Sequence, residues 1–489
     1  MLLVIDIGTS NFKAALADFN GRLIRTVSLP MAMQSAEEGR YETDPALWLR
    51  SFSEAVSRLG SVSRVEALVI SGNGPTVTPV TGEISTVRGE LVCGAAMARL
   101  WLDRRAAAEA ETVSAIMGAY VDPGFFLPKI LAIKNRESAL YERTRYFLAA
   151  PEFLLFALTG EARTVFPSEG FDQWYWNDAA LEKAGLDAEK FPPFVSPGDE
   201  IGTLPDSVAS LFGFSKTVRV FAGGPDFFMS ILGSGTVKPG QACDRSGTSE
   251  GLNVCTLERV IDRRLMSYRH PVKAYWNLSG IISTTGRAVD WCGDLLGIGR
   301  DYRSFYELAA KAAPGSGGVV FLPYLAGERA PLWDPKARGV FMGLNLETGR
   351  EEAARSVAEG ICFTLRDVAS VMKELGAPIS EIRVTNGAGK SGFLNQLKAD
   401  ITGKPVLVPE RLDAEITGLA VLGAVSMGKY GSFEEAAGFM IRIGEQYYPK
   451  AENAACYDGL FREYRELYRA LKPRFEGLAE LREKVFKEL

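Results

Sequence analysis

At 489 residues the chain exceeds what one hydrophobic core normally supports, so two domains with a cleft between them are expected. Hydrophobic residues at 47% and charged residues at 24% describe a globular protein and argue against disorder or a membrane-embedded chain. Lys plus Arg (55) against Asp plus Glu (60) gives a net charge of −5, which offers no electrostatic footprint for nucleic acid or an anionic membrane.

The chain opens on an apolar run, Leu2 to Asp6, then Gly8-Thr9-Ser10-Asn11, then a second run holding Lys13, and a third after Asn20-Gly21. This reads as strand, polar turn, strand, two-residue hairpin turn, strand. Asp6 interrupts the only apolar stretch at the N-terminus, so nothing there resembles an export signal, and the apolar segment around Phe147 to Leu158 is too short to span a bilayer. A cytoplasmic protein is expected. A Gly-Thr-Ser-Asn turn can offer backbone N–H groups and hydroxyls to phosphate oxygens, with Asp6 facing the same cavity, although a plain polar hairpin turn explains the same residues.

Further along, Pro45 to Leu59 has apolar residues at helical spacing, Val65 to Ser71 is a strand ending in Gly72, and Leu127 to Glu137 and Tyr146 to Leu158 look helical. Alternating strands and helices mean an α/β domain. Phe166 to Asp187 is an aromatic-rich loop with Trp174 and Trp176, ahead of a short helix ending at Gly185. Core packing and a pocket wall are both open for it. Val218 to Ala222 is a buried strand leading into Gly223-Gly224-Pro225-Asp226, and Phe227 to Leu232 is a helix. The opening device returns at Gly240 to Thr256, where Ser246-Gly247-Thr248-Ser249 sits between apolar runs. The domain boundary is therefore expected near residue 240, giving domains 1–240 and 241–489.

In the second half, Thr348-Gly-Arg-Glu351 reads as a capping box for a helix whose apolar face runs from Ala354 to Met372 and stops at Gly376. Ile382 to Thr385 is a strand, Gly387-Ala388-Gly389-Lys390-Ser391 a glycine turn, and Phe393 to Ile401 a helix. Leu460, Tyr464, Leu467 and Leu471 form the apolar stripe of a docked helix among charges of both signs.

Six cysteines show no C-x-x-C pair, so neither a zinc knuckle nor a thioredoxin-type motif is present, and they read as small buried hydrophobes. The one histidine, His270, stands directly before Pro271 and reads as structural. Catalysis must then run on carboxylates, Lys or Arg, backbone donors and a metal. Position 384 is Val where a P-loop needs Gly, which excludes that motif. Gly387, Gly389 and Gly392 also fit G-x-G-x-x-G, with Glu410 about twenty residues on, so a dinucleotide-binding dehydrogenase is a rival, one that leaves both Gly-Thr-Ser turns unexplained. Asp226, where a glycine-rich turn meets a helix start, serves either as N-cap or as a carboxylate placed to take a hydroxyl proton.

Together these residues resemble the FGGY carbohydrate kinases of the sugar-kinase, Hsp70 and actin superfamily. Asp6 to Lys13 is similar to the first phosphate motif, Ser246 to Glu250 to the second, and Gly387 to Ser391 to the adenosine motif. Phe321 to Arg329, Trp333-Asp334-Pro335 and Arg338 to Leu344 are similar to the family signature. The resemblance implies two actin-like (ribonuclease H-like) α/β domains flanking a nucleotide and sugar cleft, and phosphorylation of a primary hydroxyl of a small sugar by ATP with Mg²⁺. It implies that Asp226 is the base and that Asp6 and Asp226 hold the metal. Nucleotide contacts fall to Gly8, Thr9, Ser10, Asn11, Lys13, Gly247, Thr248, Ser249, Gly387, Ala388, Gly389 and Lys390. Asn73, Trp101, Asp103, Arg104, Asp226 and Phe227 are implied at the sugar, with Arg105 as eligible as Arg104. A ketopentose, xylulose-like, is the expected substrate. Glycerol, erythritol or gluconate, and a degenerate sugar- or nucleotide-binding regulator, are the alternatives. The expected partner is a small sugar or polyol, with neither nucleic acid nor membrane, and the expected assembly is a homodimer. Two departures bear on the substrate: Ser71-Gly72-Asn73-Gly74-Pro75 replaces the Gly-Gln-Met-His-Gly-like loop usual in pentulose kinases, and Phe227 stands where an Asn commonly follows the base.

Overall fold

A computed structural model describes residues 1–33 and 39–485. The chain forms two compact units, Met1–Gly233 with Ala414–Ile441, and Ser234–Asp413 with Arg442–Leu489.

In unit 1, β1 (Leu2–Ile7), β2 (Asn11–Ala17) and β3 (Leu23–Pro30) form an antiparallel meander. Helix α1 (Ala46–Leu59) leads to β4 (Ala67–Gly72), parallel to β1, and α2 (Ala150–Thr159) precedes β5 (Arg219–Pro225), parallel to β4. The sheet order is β3-β2-β1-β4-β5, closed at one edge by Glu200–Thr203. Every residue of β1 and β4 is buried, as expected of central strands covered on both faces. Helix α3 (Asp226–Gly233) follows β5.

Unit 2 repeats the plan. Strands β6 (Gln241–Ser246), β7 (Glu250–Thr256) and β8 (Trp276–Ile282) form the meander. Helix α4 (Arg350–Glu374) leads to β9 (Glu381–Asn386), parallel to β6, and α5 (Gly392–Thr402) to β10 (Val406–Pro409), parallel to β9. The order is β8-β7-β6-β9-β10, with Met266–Arg269 and Ile443–Tyr447 on the edges. After Asp413 the chain returns to unit 1 as α6 (Ala414–Ser426). A Cβ on Gly233 would lie 1.8 Å from the carbonyl oxygen of Ala414, and one on Gly418 2.0 Å from that of Met229, so α3 and α6 cross backbone to backbone and only glycine fits. The chain rejoins unit 2 at Arg442, and α7 (Ala451–Val485) buries Tyr457, Phe461, Tyr464 and Tyr468 against it.

The structure differs from the sequence expectations at several points. A single cut at residue 240 places 414–441 with the second half, whereas those residues pack on β1 and α3 of unit 1. The hairpin at Asn20-Gly21 is longer than two residues. Asp18 Oδ1 accepts the N–H groups of Asn20 and Arg22, Gly21 N–H donates to Asp18 O, and Gly21 takes the left-handed φ of +82°. Tyr146–Leu148 is a strand paired with Thr78–Val80, and the helix begins only at Ala150. The capping box is shifted by one residue: Gly349 N–H donates to Glu352 Oε2 at 3.0 Å, while Thr348 Oγ1 accepts from Asn345 N–H. The aromatic loop divides its members. Trp176 is buried against Phe191 and Phe194, and Trp174 is half-buried.

Candidate active site

Asp6 and Asp226 stand at the same end of the unit 1 sheet. Asp6 pairs in register with Ser71, Ile7 with Gly72, and Gly72 with Pro225, so the two acids close the carboxyl ends of β1 and β5 on either side of β4. Their backbones are two strand spacings apart, about 10 Å. Asp6 is 4% exposed and accepts from Ser71 Oγ at 3.3 Å. Asp226 opens α3, where the free N–H groups of a helix start favour an anion, and its Oδ1 accepts from Phe227 N–H at 2.6 Å. Close approach explains Gly223, since a Cβ there would meet the Ile70 carbonyl oxygen at 2.3 Å.

The first Gly-Thr-Ser turn joins β1 to β2, with Gly8 N–H bonded to Asn11 O at 2.9 Å. The Trp101 indole Nε1 donates to Thr9 Oγ1 at 3.0 Å, which links an expected sugar residue to an expected phosphate residue. Lys13 on β2 lies 3.8 Å from Glu415 Oε2, and Ser230 Oγ donates to Glu415 Oε1 at 2.7 Å. Asp103, expected at the sugar, is 1% exposed and committed to the fold: Arg105 Nη2 lies 2.7 Å from its Oδ2, and Tyr41 N–H donates to it at 3.2 Å. Burial opposes its ionisation, but the hydrogen bonds from Arg105 and Tyr41 outweigh this and hold its pKa below the usual value. Arg105 also reaches Glu42 at 2.5 Å, and the exposed Arg104 pairs with Asp122.

Two residues not singled out from the sequence shape this end of unit 1. Lys129 is fully buried, and its Nζ donates to the carbonyls of Pro75 (2.6 Å), Leu100 (3.1 Å) and Arg99 (3.4 Å), tying the loop after β4 to the segment before Trp101. Burial pushes its pKa well down. Glu152 lines a small pocket, with a cavity volume of about 20 Å³, together with Asn73, Pro75, Trp174, Tyr175 and Gly224. Asn73 spends its amide within the fold, Nδ2 on Ile7 O at 2.9 Å and Oδ1 on Thr76 Oγ1 at 2.6 Å. Phe227 packs against Trp174 and Phe171, ring centroids 5.9 Å apart in each case. Both lysine and glutamate lie on apolar helices, where only their full burial marks them.

In unit 2 the second turn joins β6 to β7. The carbonyls of Gly247 and Thr248 accept N–H groups from Gly286 (3.0 Å), Thr285 (3.3 Å) and Arg287 (3.4 Å) at the start of the helix Gly286–Leu295. Beneath the turn lies a buried ionic cluster. Lys398 Nζ donates to Asp244, to Glu250 Oε1 at 2.6 Å and to Ser246 Oγ at 2.8 Å, and Thr285 Oγ1 donates to Glu250 Oε2 at 3.0 Å. Burial and the neighbouring Glu250 push Asp244 up to about 7, while Lys398 holds Glu250 below its usual value against burial. The glycine turn Gly387–Lys390 is a 3₁₀ turn between β9 and α5, and Ser391 Oγ caps the start of α5 by accepting the Leu394 N–H at 3.2 Å. Its two glycines differ: nothing stands within 4 Å of a Cβ at Gly387, whereas one at Gly389 would lie 2.4 Å from Leu412 Cδ2. A side chain at the second glycine would have to displace the end of Leu412. His270 is 1% exposed, accepts from Val272 N–H through Nδ1 at 3.0 Å, and is pushed down to about 3 by burial, so it stays neutral and structural. All six cysteines are free thiols, five of them buried. Among the described residues no helix is long and apolar enough to cross a membrane.

Residues 1–233 match the N-terminal domain of the FGGY family of carbohydrate kinases and residues 245–427 its C-terminal domain. The chain belongs to that family. As a member it is a carbohydrate kinase, a phosphotransferase acting on an alcohol group, built on the two-domain actin-like fold; the dehydrogenase reading falls. It is 27% identical over 480 residues to a xylulose kinase of Bacillus subtilis, covering 95% of this chain and 96% of that one. Among solved structures it is similar to a ligand-bound xylulose kinase and to a gluconate kinase, both from Lactobacillus acidophilus. Each is 25% identical with a TM-score of 0.84 and covers 98% of this chain, and 100% and 99% of the respective structures.

Proposed function

We propose that this kinase uses ATP and Mg²⁺ to phosphorylate a primary hydroxyl of a ketopentose, with xylulose the first candidate and Asp226 the base. The observation that carries the reading is the register that sets Asp6 and Asp226 on one end of one sheet, where parallel α/β sheets bind ligands. Its substrate rests on the full-length likeness to xylulose kinases.

Two carboxylates fit Mg²⁺, which is usually held by one or two carboxylates together with substrate phosphates. Asp6, buried and accepting from the Ser71 hydroxyl, and Asp226 would hold it, and when bound the ion offsets the negative charge of the transferring phosphoryl group. Asp226 accepts the proton of the attacking hydroxyl, and the Phe227 N–H bond fixes the orientation of its carboxylate. Within unit 1 the Thr9 turn offers its donors to phosphate oxygens, and within unit 2 the open side of Gly387 leaves room for adenosine. A cytoplasmic setting and a homodimer go with the same reading; sedimentation reads the second.

A gluconate reading has its own support in the equally similar gluconate kinase structure. ADP release measured across ketopentoses, aldoses, glycerol, erythritol and gluconate decides between them. Turnover highest with a ketopentose supports the proposal, and a preference for gluconate or a polyol overturns its substrate half.

A further inference from the structure

We propose that Glu152 is a specificity-determining residue of the acceptor site, holding a hydroxyl of the sugar remote from the one that is phosphorylated. This inference rests on the reading of Asp226 as the base.

Glu152 sits in the first turn of α2, 4% exposed, facing a pocket whose walls are otherwise largely apolar or aromatic: Pro75, Phe126, Trp174, Tyr175 and Pro225. Its Oε1 accepts the Val165 N–H at 3.1 Å, and its Oε2, fully enclosed, has no hydrogen-bond partner. A carboxyl oxygen left unpaired in such surroundings is destabilising unless something arrives to bond it. Asn73, the pocket's other polar side chain with assigned bonds, is occupied by Ile7 and Thr76. Burial also pushes Glu152 up to about 7, so near neutrality its carboxyl can either donate to a hydroxyl or accept from one.

The pocket's position gives the ligand class. Gly224 and Pro225 line it, and Asp226 is the next residue. An acceptor with its reacting hydroxyl at Asp226 brings one remote hydroxyl to this aromatic-walled pocket, whose cavity of about 20 Å³ has room for about one water-sized group beside the unmet Glu152 oxygen. A polyhydroxylated chain matches this pattern better than a purely apolar alcohol.

The test is acceptor kinetics with a series of monodeoxy analogues on wild type, Glu152→Met and Glu152→Gln, with Asp226→Ala alongside. In wild type, removing one particular hydroxyl should raise KM about tenfold, and in Glu152→Met that discrimination should fall to near one, with KM for ATP unchanged. Equal discrimination in wild type and Glu152→Met overturns the inference and leaves Glu152 as the partner of Val165 and of a buried water. Should Glu152→Met not fold, difference infrared spectra take over. Adding acceptor to wild type should shift the C=O band of a buried protonated carboxyl, and Glu152→Gln should abolish that shift; no shift in wild type overturns the inference. Full turnover in Asp226→Ala instead breaks the underlying reading, whatever Glu152 does.

Discussion

The two Gly-Thr-Ser turns occupy the same place in two copies of one strand plan, yet they rest on opposite foundations. Below Gly8 the flanking pair is Ile7 and Phe12, both fully buried in an apolar core, and the acid Asp6 stands two residues before the glycine. Below Gly247 the flanking pair is Ser246 and Glu250, both bonded to the buried Lys398, and the residue two before the glycine is Arg245. One topology therefore serves two tasks. The first turn carries a carboxylate at the sheet end where chemistry is proposed; the second is braced by charges that never reach solvent.

If that division is right, variants in the two units fail differently. Asp226→Ala should lower kcat by about 10² to 10⁴ with little loss of stability, read by ADP release and urea unfolding on the same preparation. Near-normal turnover would remove unit 1's claim to the chemistry. Lys398→Met should do the reverse, costing about 3–5 kcal/mol of stability because two buried carboxylates lose their ammonium. A urea midpoint equal to wild type would show that the cluster braces nothing.

A smaller effect tests the cluster's proton. Asp244, pushed up to about 7, binds its proton more tightly folded than unfolded. The stability it contributes is complete below the unfolded carboxylate range and is lost as pH rises through about 7. Unfolding free energy should fall between about pH 4 and pH 7, and Asp244→Asn should flatten part of that slope; an unchanged slope would mean the proton sits elsewhere. Glu152 and Glu328, both raised to about 7 by burial, contribute to the remainder with the same sign. The smallest effect belongs to Trp101→Phe, which deletes the bond to Thr9 and should cost about 1 kcal/mol, seen as a several-fold change in KM with kcat kept. A kcat loss as large as that of Asp226→Ala would place Trp101 at the chemistry itself.

Much of this was legible in the sequence because its carriers are local. Apolar runs flanking Gly-Thr-Ser give strand, turn and strand, and Gly-Gly-Pro-Asp before an apolar helix places Asp226. What escaped depends on contacts far apart in the chain. The packing of Gly233 on Gly418 draws α6 into unit 1 across nearly two hundred residues, and no periodicity announces it. The bond from Tyr41 to Asp103 and the approach of Leu412 to Gly389 are likewise contacts that no local pattern announces. The hairpin at Asp18 and the cap at Gly349 moved by a residue or two because a neighbouring side chain competed for the same N–H groups.

The return of α6 also bears on how the protein is made. Unit 1 lacks the helix against which β1 and α3 pack until Ser426 has been synthesised, so its core stays incomplete while the whole Ser234–Asp413 part of unit 2 emerges. A nascent chain halted anywhere before that point exposes Gly233 and the apolar face around it, and N-terminal fragments ending near residue 240 should need chaperones or aggregate.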